Sequence, residues 1–284
     1  MKHILSVNVD EVGDNIPEVV SFLSRNKIKH LELRTIDGKN IANFNSGDLQ
    51  VIQKQVVKYG FHISALASPL FKWYLRQPDI IQSYDSFNFP CLLSESEKRE
   101  AIDRVINNAL VLNCPKVRVF TGLSGGNPSV EEIIADESFK YCLTQGKKKG
   151  ISILVENEPV CNVHTFNHLK TLLSGFENLN LWLDVANLYQ LDGKISLHNL
   201  EALLPRIRHV HLKDFIIKEE RIQYVPLGDG DIPWREILYF LFKKSNEEIS
   251  FSIETHMPKV KVAATQKSVN FYRTIEKSLY EHTN

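Results

Sequence analysis

Strand-like and helix-like segments alternate along this 284-residue chain, and this alternation constrains its fold more than any other feature. Eight apolar strands can be counted, each followed by a segment whose apolar residues have helical spacing. Such alternation predicts a parallel sheet with right-handed crossovers, and eight strands are the number that a closed barrel requires. The strands are predicted at residues 4–9, 30–34, 61–67, 116–121, 151–156, 179–184, 208–213 and 249–254, and the clearest helices at 16–25, 48–59, 94–112 and 129–149.

The main alternative is an open, doubly wound sheet, and the polar residues within the strands argue against it. An open sheet with helices on both faces needs apolar residues at both alternating positions of a strand. Here one position carries Val, Ile, Leu or Phe, while the other is mostly polar: Ser6, Asn8, Asp10, Glu32, Arg34, Ser152, Glu156, Asn180, Trp182, Asp184, Ser250, Ser252 and Glu254. A barrel interior that becomes polar toward the carboxyl ends of its strands explains this pattern. We therefore predict a single-domain (β/α)8 TIM barrel over residues 1–284.

Composition and charge weigh against several functional classes. Apolar residues make up 43% of the chain and charged residues 24%, as in an ordinary globular protein. The 34 basic and 34 acidic side chains balance, so no overall field favours nucleic acid or a membrane as a partner. The four cysteines are widely spaced, and we expect them to be reduced. We also expect a cytoplasmic protein, because the sequence shows no signal-peptide pattern and no run of ~18 apolar residues.

Two connections are unusually long. The one after the third strand, residues 68–93, contains Phe71, Trp73 and Tyr74. It is either a lid or binding segment, or an aromatic cluster packed on the rim or in a subunit contact.

The connection after the seventh strand, residues 215–234, is predicted to form a small hairpin that closes with Gly228 and Gly230. Asp231 is then expected to cap the next helix, with Pro233 in its first turn.

Four consecutive strands end in residue types that bind metal ions. Glu156, Asp184, His211 and Glu254 end the fifth to eighth strands, and reactive groups in such barrels come from these ends. Because adjacent strands lie ~4.8 Å apart, the four side chains can converge on one point. Three carboxylates and one imidazole favour Mn²⁺ or Mg²⁺, with Co²⁺ or Zn²⁺ as alternatives. Without a metal, the same set would be a carboxylate cluster neutralised by protons, Lys or Arg.

Five short motifs resemble those of the xylose isomerase-like TIM-barrel superfamily, of the sugar phosphate isomerase/epimerase type. They occur in the order LVENEP, LWLDVANL, HVHLKD, LGDGDIPW and IETH. The resemblance covers nearly the whole chain and implies that Glu156, Asp184, His211 and Glu254 hold one divalent metal ion. It also implies that Glu156 and Glu254 act as acid and base.

The sequence departs from some members of this superfamily. Endonuclease IV-type repair enzymes need further histidines for a three-zinc cluster, and those positions here read SALAS and RVFTG, with Asn187 where another histidine would stand. Together with the balanced charge, this weighs against cleavage of damaged DNA. Ketose 3-epimerases also commonly carry His at the position of Asn187.

Several residues near the four strand ends are candidate substrate contacts, each with a structural alternative. Lys213 either binds a substrate oxygen or neutralises the carboxylates, and Asn187 either binds a sugar hydroxyl or caps its loop. Glu158 and His256 are either substrate contacts or exposed rim residues. Three deeper residues are expected to be structural: Glu32 and Arg34 as an internal ion pair and His209 as a hydrogen-bonded core histidine.

These features predict a metal-dependent isomerase or epimerase that acts on a small keto sugar or related polyol carbonyl through an enediolate. The expected partner is this small-molecule carbohydrate, and a homo-oligomer is compatible with the sequence. The alternatives are a metal-dependent lyase of the inosose dehydratase type and a sugar-binding barrel without catalytic activity.

Overall fold

The computed structural model describes residues 3–76, 83–85 and 88–281, and the predicted closed barrel is present. Eight parallel strands pair in chain order, and the last strand pairs with the first to close the wall. The protein is therefore a single-domain (β/α)8 TIM barrel. The barrel strands are β1 (His3–Asn8), β2 (His30–Leu33), β3 (His62–Leu66), β4 (Lys116–Val119), β5 (Ser152–Glu156), β6 (Asn180–Asp184), β7 (Ile207–Leu212) and β8 (Ile249–Ile253).

Helices surround the barrel, and many begin at side-chain caps that the sequence supplies. Asn45 and Ser94 each form a capping box that satisfies the first free amides of a helix. The helices are α1 (Ile16–Arg25), α2 (Ser46–Tyr59), α3 (Glu95–Val111), α4 (Val130–Ala135), α5 (Glu137–Lys149), α6 (Phe166–Ser174), α7 (Val185–Asp192), α8 (Leu197–Leu203), α9 (Trp234–Lys244) and α10 (Lys261–Glu281). In the described residues, none is both long and apolar enough to cross a membrane.

The prediction of one helix over residues 129–149 is wrong. The chain forms α4 and α5 instead, with extended backbone at Asp136 between them. The Asp136 carboxylate accepts a hydrogen bond from the Phe139 amide at 2.7 Å, which starts α5 as a new helix.

The strands separate two apolar cores. The larger core lies between the barrel wall and the helices, and a smaller one consists of Ala65, Ala67, Leu154 and Trp182. Polar contacts cross the barrel interior: Glu32 on β2 reaches the histidines of β7, although these strands are not neighbours. The polar positions of the strands therefore face inward, as the closed barrel requires and an open sheet would not.

The aromatic loop after β3 packs into the protein in its described parts. Phe71 and Trp73 are fully buried and contact each other and, respectively, Phe139 and Phe89. This favours the aromatic-cluster interpretation for these two residues. The predicted loop also includes residues 77–82 and 86–87, which lie outside the described residues.

The predicted hairpin after β7 is confirmed, with antiparallel strands Asp214–Lys218 and Arg221–Val225. The predicted cap at Asp231 is wrong. Helix α9 begins at Trp234 without a side-chain cap, and the Asp231 carboxylate instead accepts a hydrogen bond from the Ile217 amide at 3.1 Å. Asp231 therefore ties the loop back to the hairpin.

All four cysteines lie among the described residues, where they are buried and form no disulfide. This agrees with the expectation that they are reduced.

Candidate metal centre

The four predicted ligand residues converge at the carboxyl ends of β5 to β8. One nitrogen or oxygen atom from each of Glu156, Asp184, His211 and Glu254 lies within 4.8 Å of the others. The distances from His211 Nδ1 to the nearest carboxylate oxygens are 3.0 Å for Glu156, 3.1 Å for Glu254 and 3.5 Å for Asp184. All four side chains are buried. The geometry of one shared centre is therefore present.

Each glutamate divides its two oxygens between this centre and an arginine. Glu156 directs Oε1 toward His211 and accepts a hydrogen bond from Arg118 at 2.9 Å through Oε2. Glu254 directs Oε2 toward His211 and accepts a hydrogen bond from Arg34 at 2.6 Å through Oε1. The arginines hold both carboxylates in one orientation.

Asp184 is held between a helix and a lysine. Its Oδ1 accepts a hydrogen bond from the Asn187 amide at 2.8 Å and so caps α7. Its Oδ2 lies 2.6 Å from Lys213 Nζ, which is also 3.6 Å from Glu254. Burial disfavours the ammonium, but these two carboxylates outweigh burial and raise the pKa of Lys213. Lys213 thus neutralises the carboxylate set, one of its two predicted roles.

A buried carboxylate, that of Glu32, contacts His211 on the side of the ring that faces away from the centre. Glu32 lies 3.1 Å from His211 Nε2 and 2.9 Å from His209 Nε2. If both Nε2 atoms donate to Glu32, the lone pair of His211 Nδ1 faces the centre, which is the tautomer that a metal ligand needs. Burial lowers the pKa of His209 to about 4, so this ring is neutral at pH 7, as expected for a hydrogen-bonded core histidine.

Two observations show that the donor set fits a divalent cation. Within the described chain, His211 Nδ1 is a buried atom without a well-formed hydrogen bond, although carboxylates of Glu156, Glu254 and Asp184 lie 3.0–3.5 Å from it. Burial disfavours a charged imidazole, yet the carboxylates of Glu254, Glu32 and Glu156 raise the pKa of His211 well above its usual value. The site therefore attracts positive charge, and its oxygen-rich donors suit a hard metal ion.

A cavity of about 560 Å³ opens beside the centre at the barrel mouth. Arg34 and His256 line it and also contact Glu254, so the cavity lies next to one of the four candidate ligands. His256 Nε2 lies 3.3 Å from Glu254 Oε2, and its ring meets Tyr224 of the hairpin edge to face at 5.1 Å. His256 has a positive φ of 54° and is held by Glu11, which accepts from its backbone amide at 3.3 Å.

The other predicted contacts, Glu158 and Asn187, meet just beyond the carboxyl ends of β5 and β6. Asn187 is buried, and its amide group donates to the Asn157 carbonyl at 2.9 Å and to Glu158 at 3.2 Å. Glu158 also pairs with Lys72 at 3.2 Å. Both residues therefore lie near the centre and are held by protein groups.

Sequence analysis did not single out Arg118, Lys72 or Tyr224. Arg118 gave a usable signal, because an arginine at an inward position of an apolar strand needs a buried partner. Lys72 and Tyr224 gave none, since only the path of each long loop brings them to the mouth.

Comparisons with known proteins agree with this architecture. Residues 23–275 match the family model described as xylose isomerase-like TIM barrel. No protein with a curated description matches the sequence.

Three solved structures are similar in fold, at identities too low to carry function. The first is the probable 3-DHS dehydratase AsbF from Bacillus anthracis (15% identity, 93% of this chain and 97% of that chain covered, TM-score 0.69). The second is the IOLI protein with a bound zinc atom (16%, 96% and 97%, TM-score 0.72). The third is the D-allulose 3-epimerase from Methylomonas sp. in complex with D-allulose (12%, 95% and 96%, TM-score 0.69). Since the family model covers most of the sequence, this chain belongs to the xylose isomerase-like TIM-barrel family.

Proposed function

We propose that this protein is a divalent-metal-dependent isomerase or epimerase that acts on a small keto sugar or a related polyol carbonyl compound. The observation that carries the proposal is the matched pair Glu156 and Glu254. Each has one oxygen fixed by an arginine and the other directed at the shared centre.

Glu156, Asp184, His211 and Glu254 would hold the metal ion, with Mn²⁺ or Mg²⁺ preferred by the three carboxylates. When bound, such an ion polarises a substrate carbonyl and stabilises the negative charge that develops on its oxygen.

The protein supplies the groups that accept and return the proton. Burial raises the pKa of Glu156, but Arg118 and His211 outweigh this and lower it below its usual value, so the carboxylate is ionised and able to act as a base. Burial also opposes ionisation of Glu254, but His211, His256 and Lys213 lower its pKa well below the usual value. Two bases on separate strands suit removal of a proton from one face of a carbon and its return to the other, which is epimerisation.

A dehydratase is the second candidate, because one of the similar structures is described as a probable 3-DHS dehydratase. Loss of a hydroxyl next to the carbon that loses its proton would use the same metal site and the same base. The two reactions differ only in the fate of the intermediate.

Proton exchange from D₂O tests the proposal. Metal content would be measured on the purified protein, which would then be incubated in D₂O with a panel of ketoses that includes D-allulose. We expect deuterium at the carbon next to the carbonyl. Loss of water from the substrate would identify a lyase, and a metal-loaded protein that binds a ketose without exchange would be a binding protein.

A further inference from the structure

The basic side chains at the barrel mouth are already paired with carboxylates. This holds for those that the described residues place around the centre and its cavity, and four of the five are buried or nearly so. The pairs are Arg34 with Asp10 at 2.8 Å and Glu254 at 2.6 Å, Lys72 with Glu158 at 3.2 Å, Arg118 with Glu156 at 2.9 Å, Lys213 with Asp184 at 2.6 Å and Lys261 with Asp14 at 2.5 Å. A phosphate group would have to displace a carboxylate from one of these cations, which leaves a charge unpaired.

The loop after β7 presents backbone amides of the kind that bind phosphate in many barrels. Here a carboxylate of the same chain already accepts hydrogen bonds from these amides. Asp214 Oδ2 accepts hydrogen bonds from Gly228 at 2.9 Å and Gly230 at 3.1 Å, and Oδ1 accepts from Phe215 at 2.9 Å and Ile232 at 3.4 Å. A glycine-rich loop that could hold an anionic ligand thus holds a carboxylate of the protein.

The charge balance of the mouth also argues against a phosphate group on the substrate. Counted over the described residues, the five cations face seven carboxylates: the six that pair with them and Glu11, which also lines the cavity. A divalent metal ion would bring the mouth close to neutrality and leave no excess positive charge for a dianion. Residues 77–82 and 86–87 of the loop after β3 contain no Lys, Arg or His that could change this balance.

We propose that the site takes an uncharged, unphosphorylated polyhydroxylated carbonyl compound and discriminates against its phosphate esters. This inference rests on the proposed function, whose substrate class it narrows. The paired carboxylates and cations, together with Tyr224 and His256, offer hydrogen bonds to hydroxyl groups. A carboxylate that remains fixed by its cation can still accept from a sugar hydroxyl through a free lone pair.

The test compares a ketose with its own phosphate ester on the metal-loaded protein. Binding of D-fructose and D-fructose 6-phosphate would be followed by saturation-transfer NMR, and deuterium exchange from D₂O would be followed in the same samples. We expect the neutral ketose to bind roughly tenfold better, because the metal-loaded mouth has no excess positive charge and its cations are already paired with carboxylates. Equal or better binding of the ester, or binding of neither compound, would overturn the inference.

A single substitution should weaken the expected preference for the neutral ketose. Glu158→Gln removes one carboxylate that pairs with Lys72, so binding of D-fructose 6-phosphate should rise several-fold relative to D-fructose. Glu201→Gln, an exposed change on α8, is the matched control and should leave the ratio unchanged. An unchanged ratio in Glu158→Gln would count against the pairing argument. A ketose that binds without deuterium exchange would preserve this inference but refute the proposed isomerase, so the two failures are distinguishable.

Discussion

At the scale of single residues, the centre depends on carboxylates whose two oxygens have different partners. Glu156 and Glu254 each give one oxygen to an arginine, and this fixes the direction of the other. Replacement of either by glutamine keeps the size of the side chain and removes both the charge and the base. We expect Glu156→Gln and Glu254→Gln each to lower deuterium exchange into a ketose substrate by about 10²–10⁴-fold.

The fold of both variants should persist, because neither residue closes the barrel wall. Circular dichroism would check this, and Glu201→Gln provides an exposed control of the same chemistry. Near-normal exchange in either variant would remove that glutamate from the acid and base roles.

Glu32 acts on the centre through His211 and does not reach it itself. The Glu32 carboxylate lies within hydrogen-bonding distance of both His211 and His209. A glutamine at position 32 offers one acceptor and one donor in place of two acceptors, so it cannot accept from both rings in the same way. We expect Glu32→Gln to weaken metal binding by about 10–100-fold, measured by isothermal titration calorimetry.

The control for this change is Asp103→Asn, which alters a carboxylate that accepts from Tyr141 at 3.0 Å on the outside of the barrel. It should leave metal affinity unchanged. Equal affinity in Glu32→Gln and the original protein would show that orientation of His211 does not depend on Glu32.

Metal binding should compete with a proton on His211. Despite burial, which lowers it, the pKa of this ring in the metal-free protein is raised well above its usual value by Glu254, Glu32 and Glu156. The raised pKa favours the protonated ring, and a metal ion must displace that proton. Affinity should fall as the pH falls, by about tenfold per pH unit below the raised pKa.

Calorimetry in two buffers of different ionisation enthalpy measures the proton released with each ion. Proton release near one per ion is expected at pH 7. The stability of the metal-free protein should depend on pH in the opposite direction to its metal affinity. The proton on His211 stabilises the folded state below the unfolded pKa of ~6.5, and this contribution is lost as the pH rises through the raised pKa. Binding without proton release would contradict the assignment of His211 as a ligand.

Sequence reasoning predicted that Glu156, Asp184, His211 and Glu254 meet at one centre, because the signal of each residue is local. Each ends an apolar strand at the same alternating position, and that position alone decides which way the side chain faces. Arg118 and Lys72 were not located as partners, because their roles depend on how β4 and the loop after β3 meet other parts of the mouth. Distances between segments far apart in the chain are not encoded in any short pattern.

At the scale of elements, the loop after β7 controls one side of the mouth. Asp214 gathers the amides of Gly228 and Gly230, and this loop adjoins the hairpin that carries Tyr224. A methyl group at Gly230 would overlap the Asp214 carboxylate and lie 2.5 Å from the Phe215 carbonyl oxygen. We expect Gly230→Ala to lower the free energy of unfolding by about 1–3 kcal/mol, measured by chemical denaturation, and to raise KM through displacement of the hairpin.

Gly47→Ala on α2 is the control, since the nearest atom to its added methyl group lies at 3.2 Å. It should change neither KM nor the hairpin. An unaltered KM in Gly230→Ala would separate the hairpin from substrate binding.

The elements that sequence analysis misjudged share one cause. Both α4 and α5 have apolar residues at helical spacing, so the pattern runs on across Asp136, although its extended backbone ends α4 and its side chain caps α5. At Asp231 the residue types fit a cap, but the carboxylate instead bonds to Ile217 of the hairpin. In both cases the residue types alone do not say which backbone amide an aspartate carboxylate accepts from: the next helix at Asp136 and the hairpin at Asp231.

At the scale of the whole molecule, the proposed metal ion would link the ends of four neighbouring strands, which form one half of the barrel wall. Its four ligands lie at the ends of β5, β6, β7 and β8, and each of these strands pairs directly with the next. The sequence predicted this arrangement because closure follows from the count of strands and the order of the ligands. It placed Glu32 and Arg34 in the interior as an ion pair, but Glu32 contacts His211 and Arg34 pairs with Asp10 and Glu254.

Removal of the metal should therefore destabilise the half formed by β5–β8 more than the half formed by β1–β4. An ion that binds only the folded state stabilises it by about 2.7 kcal/mol at a concentration one hundred times its Kd, so chelation should lower the melting temperature of the loaded protein. Because the ligands belong to β5–β8, hydrogen exchange should rise more in those strands than in β1–β4. The variant His211→Ala, which lacks the imidazole ligand, should show a much weaker response to chelation. A uniform rise across all eight strands, or the same response in His211→Ala, would mean that the four residues do not bind the ion together.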